Sequence, residues 1–415
     1  MSNPLPSNTD PRGAGSARPD AARRRLRVAI LADMLEEQWP SMDLVADSLL
    51  RELPRQTAWP VAPLLVRPPL VRLLGRVVRG NGHAAPTVDR VFNRFWIYPR
   101  TLDRHADGCE LFHIVDHSYA HLALSLPAGR VVTTCHDIDT FRGFLSPGRI
   151  DTALPRFLVN RLAAGLRASA VVVCPSRCTA AELVEAGLVA PERVQVVANG
   201  VEPPAADAAA DHEAARLLAT ARPTVDILHV GSTIARKRID LLLEIVARVA
   251  ANVPGVRLVR VGGEFTRSQT ALLRQLGLAG RVLVLPFLDR ATLHAVYRRV
   301  ALLAITSERE GFGLPIIEAL AAGIPVVARD LPVFREVAGD AATFVESTDP
   351  ADWAGTIERL LTEAREEDGL RGARIAAGRS RAGQFSWTQY AAEMAWIYAR
   401  TADALAAAGE DTPNS

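Results

Sequence analysis

Lysine is nearly absent from this chain: of its 48 basic residues only Lys237 is a lysine. The composition, rich in Arg and Ala, has the character of a GC-biased genome, which places arginine wherever a cation is needed. A guanidinium is a wide planar fork and an ammonium a compact point charge, so a solitary lysine can mark a position the fork does not fit. An excess of one charge is also missing. The net charge of +2 leaves no global electrostatic case for nucleic acid, and no such partner is expected. No uncharged apolar run approaches the ~18 residues that a membrane span needs. Cysteine is scarce, and Cys109, Cys135, Cys174 and Cys178 show no pairing pattern. No His or Cys follows Cys174 and Cys178 at zinc spacing, so reduced thiols, no structural metal and a cytoplasmic location are expected. Residues 1–25 lack the apolar stretch of a signal peptide and are expected to form a disordered arm, as is the tail 409–415.

What is present is a long alternation of apolar and amphipathic segments. A chain of 415 residues exceeds one core, so two domains are expected. Continuous apolar, β-branched runs predict strands over 27–32, 111–115, 131–135, 170–174 and 194–198. After a Pro- and Ala-rich linker at 202–224, with room for a short helix, runs at 226–230, 257–261, 282–285, 301–305 and 325–328 repeat the pattern. Strands of this kind, separated by helices, predict parallel sheets covered on both faces: an α/β chain of two doubly wound, Rossmann-like halves. The expected division is 26–203 and 204–384, followed by a long helix over 385–408. Ligands in such sheets bind at the carboxyl ends of strands, so the residues just after each strand matter most.

The run at 226–230 ends in Gly231-Ser232-Thr233-Ile234-Ala235-Arg236-Lys237-Arg238. Gly231 lets backbone approach a ligand, and Arg236 and Lys237 beside a helix start suit a diphosphate. The run at 301–305 leads into Glu310-Gly311-Phe312-Gly313-Leu314-Pro315. Its glycines permit tight geometry, Pro315 suits the first helical position, and Gly323 closes the helix. Amides at Phe312, Gly313 and Leu314 would face the sheet edge. Glu310 and Glu318 both look into that space, as good acceptors for sugar hydroxyls. A solvated turn and an ordinary helix face are the plain alternatives for these residues.

The stretch from Glu310 to Glu318, with Ala-Leu-Ala-Ala-Gly-Ile-Pro-Val-Val after it, resembles the signature of retaining GT-B glycosyltransferases of family 4, the group 1 glycosyl transferases. The segment from Leu331 to Ala342, Val197-Ala-Asn199-Gly200-Val201, the Gly231 to Lys237 stretch, His136-Asp137 and Phe385-Ser-Trp387 are similar to that family too, in order. The resemblance implies two Rossmann-like domains facing a central cleft, the first for the acceptor and the second for a nucleotide-diphosphate sugar. The helix 385–408 would cross back onto the first domain, with hinges near 202–224 and Trp387. It also implies transfer of a hexose, of mannose or glucose type, to a saccharide or lipid-linked acceptor with retained configuration, in cell-surface polysaccharide or glycolipid synthesis. Lys237 and Arg236 would bind the diphosphate, Glu310 the sugar and Glu318 the ribose, with Gly231, Ser232, Asn199, Gly311, Phe312, Gly313 and Leu314 lining the donor site. His136 would approach the reacting sugar. The nucleotide sugar is a substrate, and no cofactor is expected.

The first half departs from the family pattern, with Asp33-Met-Leu-Glu-Glu-Gln-Trp39-Pro-Ser41 where relatives carry a glycine-rich loop. Ser41 is expected to cap the next helix and Trp39 to stack on a sugar or pack, and both are candidates for the acceptor side. His113, Asp116, His117, Tyr119 and His121 cluster after a strand, so they and Asp137 are candidates for the acceptor side. The stretch Val71 to Arg79 reads as a basic amphipathic helix, either solvated or lying on the inner face of a membrane. Asp137-Ile138-Asp139 is a D-x-D triplet, but it stands in the wrong half to serve the diphosphate, and no metal is expected. A phosphorylase or sugar-nucleotide epimerase on the same fold, or a silent nucleotide-sugar-binding module, remain as other readings. A dinucleotide oxidoreductase is disfavoured, because no strand is followed by G-x-G-x-x-G.

Overall fold

A computed structural model describes residues 24–72, 87–105, 107–145, 153–202, 207–363 and 369–410. The chain divides into two compact units, 1–200 with 387–415, and 201–386. Each is built on one six-stranded sheet in which every recorded strand pair is parallel. The twelve strands among the described residues are short and mostly apolar, as expected where helices cover both faces.

The first sheet holds β1 (Leu26–Leu31), β2 (Val61–Val66), β3 (Leu111–Ile114), β4 (Val131–Thr134), β5 (Val171–Cys174) and β6 (Val194–Val196), in the order β2-β1-β3-β4-β5-β6. The order reverses between β1 and β3. The sequence reading did not anticipate β2. Pro63 interrupts its run, and an edge strand tolerates the missing N–H that would disrupt a central one. The final helix, Trp387–Glu410, belongs to this unit. Thr388 Oγ1 donates to Glu52 Oε2 at 3.1 Å, and the Tyr398 hydroxyl meets His113 Nδ1 on β3 at 2.7 Å.

The second sheet holds β7 (Val225–Val230), β8 (Val256–Val261), β9 (Val282–Leu285), β10 (Leu302–Ile305), β11 (Val326–Arg329) and β12 (Thr343–Val345), in the order β12-β11-β10-β7-β8-β9. Its reversal lies between β7 and β10, the crevice where ligands bind in doubly wound sheets. Helix Ile239–Asn252 buries Leu242, Val246 and Val249 against Leu258 of β8 and Trp353, forming the core under that crevice. The expected linker contains an eleven-residue helix, Ala208–Leu218, capped by the Asp207 carboxylate, which accepts from Ala209 and Ala210 N–H at 3.0 Å. Arg298 and Arg299 tie its Asp211 to the second unit at 2.8 and 2.6 Å. Val201 N–H donates to Phe385 O at 3.3 Å, so the two ends of the second unit lie side by side.

Residues 1–23, 411–415 and 73–79 of the basic stretch lie outside the described residues, as does Glu202's continuation at 203–206. Of the stretch, Val71 and Arg72 are described, and both are exposed. Among the described residues no helix is long and apolar enough to cross a membrane.

Candidate functional site

The turn after β7 is held open by backbone geometry that its sequence makes possible. Gly231 sits at φ 151° and donates to Val261 O at 2.9 Å. A short 3-10 turn, Ala235–Lys237, follows, and Arg238 adopts a left-handed conformation at φ 49°. That conformation is costly for a residue with a Cβ, and its neighbours hold it in place. Arg238 Nε donates to Asp240 at 3.0 Å and Nη1 to Glu308 at 2.8 Å. Thr306, just past β10, donates to the carbonyls of Lys237 and Arg238 at 2.9 and 3.1 Å. The β7 turn is thus fastened to the end of β10, and both lie at the reversal of the sheet.

This fastening brings Arg236, Lys237 and Glu310 together. Arg236 Nη1 donates to Glu310 Oε2 at 2.9 Å and to Arg309 O at 2.7 Å. Lys237 Nζ binds the other oxygen, Oε1. The three side chains are 16, 14 and 11% exposed, so the cluster is shielded without being sealed. Burial pushes the Glu310 carboxyl up, but Lys237 and Arg236 outweigh it and hold it at about 2. The carboxylate therefore carries its charge at neutral pH and occupies both cations. An incoming diphosphate, with two adjacent charges, can exchange for it and free Glu310 for hydroxyl groups.

Helix Leu314–Ala322 starts beside this cluster, with Gly313 as its cap at φ 98°. A Cβ there would lie 2.9 Å from the Phe334 ring, so only glycine fits the turn. The first amides of a helix have no intrahelical acceptor, and together with the dipole they favour an anion. Phe312 is 5% exposed, with its ring edge-on to Phe385, so it offers main chain rather than side chain. Glu318 does not join Glu310. It is buried and ionically bound to Arg290 Nη1 at 2.7 Å, and it accepts from the Tyr297 hydroxyl at 3.0 Å. The sequence reading missed both partners. They lie on one helix, Arg290–Tyr297, seven residues apart, and nothing in that spacing says which carboxylate the helix meets. Ser232 is half-buried in the β7 turn, Gly311 is buried in the β10 loop, and Asn199 in the first unit is 3% exposed, with its Oδ1 unpartnered.

In the first unit the strand ends at the β1/β3 reversal carry a different set. His136, after β4, is 9% exposed, with Nε2 at 2.9 Å from Val115 O; burial lowers its pKa. His117 Nδ1 lies 3.1 Å from Asp116 Oδ1, and its Nε2 lies 3.8 Å from Asp137. Burial works against its charge, but Cys135, Asp116 and Asp137 around it prevail and hold it at about 10. The expected histidine cluster otherwise dissolves into the core. His113 bonds Thr134 and Tyr398 at 2.8 and 2.7 Å, and His121 bonds Arg94 O at 2.7 Å. Tyr119, expected on the acceptor side, is 1% exposed: its hydroxyl accepts from Met34 N–H at 3.4 Å and Arg94 covers its ring. Ser41 does not cap. Pro40 takes the first position of helix Pro40–Glu52 with Trp39 before it, which leaves Ser41 exposed in the first turn. Trp39 is 38% exposed.

Known proteins bear on this arrangement. Residues 218–379 match the family model of glycosyl transferases group 1, and residues 42–204 match that of glycosyltransferase family 4. A D-inositol 3-phosphate glycosyltransferase of Geodermatophilus obscurus is 34% identical over 233 residues, 53% of this chain and 50% of that protein. A protein of the same name from Xylanimonas cellulosilytica is 34% identical over 247 residues, 56% and 57% of the two chains. The matches thus span about half the length of these curated relatives. Among solved structures, Anabaena HepE in complex with UDP and glucose aligns with a TM-score of 0.64 at 19% identity, over 90% of this chain and all of that one. Sucrose-phosphate synthase from Thermosynechococcus elongatus aligns with a TM-score of 0.70 at 18% identity, over 92% of this chain and all of that one.

Proposed function

From the premise that the chain belongs to the group 1, family 4 glycosyltransferases and has their GT-B fold, we propose that it transfers a hexose from a nucleotide-diphosphate sugar to a saccharide or lipid-linked acceptor. The observation that carries this reading is the Arg236–Lys237–Glu310 cluster at the β7/β10 reversal. On binding, the diphosphate displaces Glu310 from the two cations, which then offset the charge of the departing phosphate. Glu310 turns to the hydroxyls of the transferred sugar, with the amides of Phe312, Gly313 and Leu314 beside it. Glu318, oriented by Arg290 and Tyr297, accepts from the ribose hydroxyls. Gly231 and Ser232 line the diphosphate.

Acceptor binding is assigned to the strand ends of the first unit. There His136 is the catalytic contributor, His117 and Asp137 are polar partners, and Trp39 is the exposed ring. The reaction retains the configuration of the sugar and needs neither metal nor cofactor, because positioning and charge supply the catalysis. D-inositol 3-phosphate, named in the curated relatives, is one acceptor to assay beside saccharides and lipid-linked saccharides. Mannose and glucose donors, carried on GDP or UDP, are the ones to screen, and a place in cell-surface polysaccharide or glycolipid synthesis follows from such an acceptor.

Thermal shift against nucleotide sugars tests the reading. A ligand at 100 times its dissociation constant stabilises by about 2.7 kcal/mol, so a true donor moves the midpoint clearly. No response to any UDP- or GDP-sugar overturns the donor site. Product analysis by NMR reports the anomeric configuration, and a rate abolished by EDTA overturns metal independence.

A further inference from the structure

Arg260 lies one residue from the end of β8 and is wholly buried. Burial works against a guanidinium charge, and here it draws the pKa down to about 10, against the pull of Glu264. The group still remains cationic at neutral pH. Its recorded hydrogen bonds all go to main-chain carbonyls on two different turns. Nη2 donates to Gly231 O at 2.9 Å and Gly262 O at 3.2 Å, and Nη1 donates to Gly263 O. The Phe265 ring lies 5.2 Å away. The turns after β7 and β8 touch directly: a Cβ on Gly262 would lie 2.2 Å from Gly231 O. His229, the register partner of Arg260 on β7, is also wholly buried, with both ring nitrogens unpartnered. Burial, then Arg260 and Lys237, hold it at about 3, so it adds no charge beside the guanidinium.

We propose that Arg260 is a positioning residue of the donor site, turning the carbonyls of Gly231, Gly262 and Gly263 inward so that the amides of Ser232, Gly263 and Glu264 face the diphosphate. In a trans, planar peptide the carbonyl and the following N–H point opposite ways. Each carbonyl drawn to the guanidinium therefore aims the next amide away from it. Three amides from two touching turns then form an anion-binding concavity beside Lys237. A fork suits this, because its two terminal nitrogens hold the carbonyls from two separate points in a fixed plane, where an ammonium offers one nitrogen with rotating donors. The inference rests on the donor reading above.

The test uses the full chain and UDP and GDP as probes. Calorimetry on wild type comes first: binding of neither diphosphate removes the donor reading, and this inference with it. With binding established, Arg260→Met is expected to weaken diphosphate affinity and raise donor KM by about tenfold or more, the scale of losing charge-assisted contacts, with acceptor KM unchanged. Arg260→Lys is expected to recover less than half of that loss on a logarithmic scale. A lowered melting midpoint with unchanged donor affinity is what a packing role alone predicts, and it overturns the proposal. NMR of the wild-type chain needs no variant to fold. The Ser232, Gly263 and Glu264 amide resonances are expected to shift on adding UDP or GDP, and if they stay in place while the diphosphate binds, the proposal fails.

Discussion

The two sheets of this chain reverse their strand order at different places and furnish the reversals with different charged groups. At β7/β10 the polar groups are cations gripped by one carboxylate, each 11 to 16% exposed. At β1/β3 carboxylates sealed in the core sit beside Arg94 and His117. Glu37 has no exposed side-chain surface and is held by Arg94 Nε at 2.7 Å, while both Asp33 oxygens are buried without a partner. Burial, then the neighbouring Asp116, raise the Asp33 pKa far above the usual carboxylate range. One crevice has a charge pair that a ligand can exchange. The other has a buried network in which Glu37 is already held by Arg94 and Asp116 by His117. The exchangeable pair is the basis on which the donor was proposed for the first crevice, and the acceptor is proposed for the second.

The largest expected effect is at the exchangeable pair. Lys237→Ala is expected to lower kcat/KM by about 100- to 1,000-fold, as when one preorganised donor is removed from an active site. Lys237→Arg is expected to lose at least about tenfold despite keeping the charge, because Arg236 already occupies the other side of Glu310 and a second fork is wider than an ammonium. Near-normal turnover in Lys237→Arg would mean the solitary lysine is an accident of composition. Next comes Glu318→Gln, which leaves Arg290 with a neutral partner. Calorimetry is expected to show about tenfold weaker nucleoside diphosphate binding with pyrophosphate binding unchanged, and an equal loss for both ligands removes the ribose role.

pH separates the two crevices, from opposite ends of the scale. The Glu310 pKa is depressed, so its stabilisation is present above the ordinary carboxyl range and is lost as pH falls through about 2. The melting difference between wild type and Glu310→Gln is therefore expected to shrink in acid. The His117 pKa is raised, so its contribution is complete below the ordinary imidazole value and is lost as pH rises through about 10. The gap between wild type and His117→Asn is expected to close in alkali. Parallel pH profiles for the two variants would erase the contrast between the sites. The smallest effect is Ser41→Ala, expected to change stability by less than about 0.5 kcal/mol because the exposed hydroxyl caps nothing.

Much of this was legible in the chain itself. Continuous apolar runs identify ten of the twelve strands. The two omitted, β2 and β12, are edge strands, where Pro63 breaks one run and three residues make up the other. The residues of the β7 and β10 turns were visible as strand-end glycines, adjacent cations and carboxylates before a helix, since local backbone needs local chemistry. The first unit was harder to read. His113, Tyr119 and His121 sit at a strand end by sequence, yet packing turns them into the core, and sequence position does not encode that direction.

The order of segments, their periodicity and the residue types at strand ends were therefore determined by the sequence alone, because covalent neighbours and side-chain period set them. Pairing was decided by the fold. Lys237 and Glu310 are 73 residues apart, Arg290 and Glu318 28, and Arg260 and the Gly231 carbonyl 29. Which charge meets which depends on the strand order β10-β7-β8, and that order follows from how two apolar sheet faces are covered, a property of the whole unit.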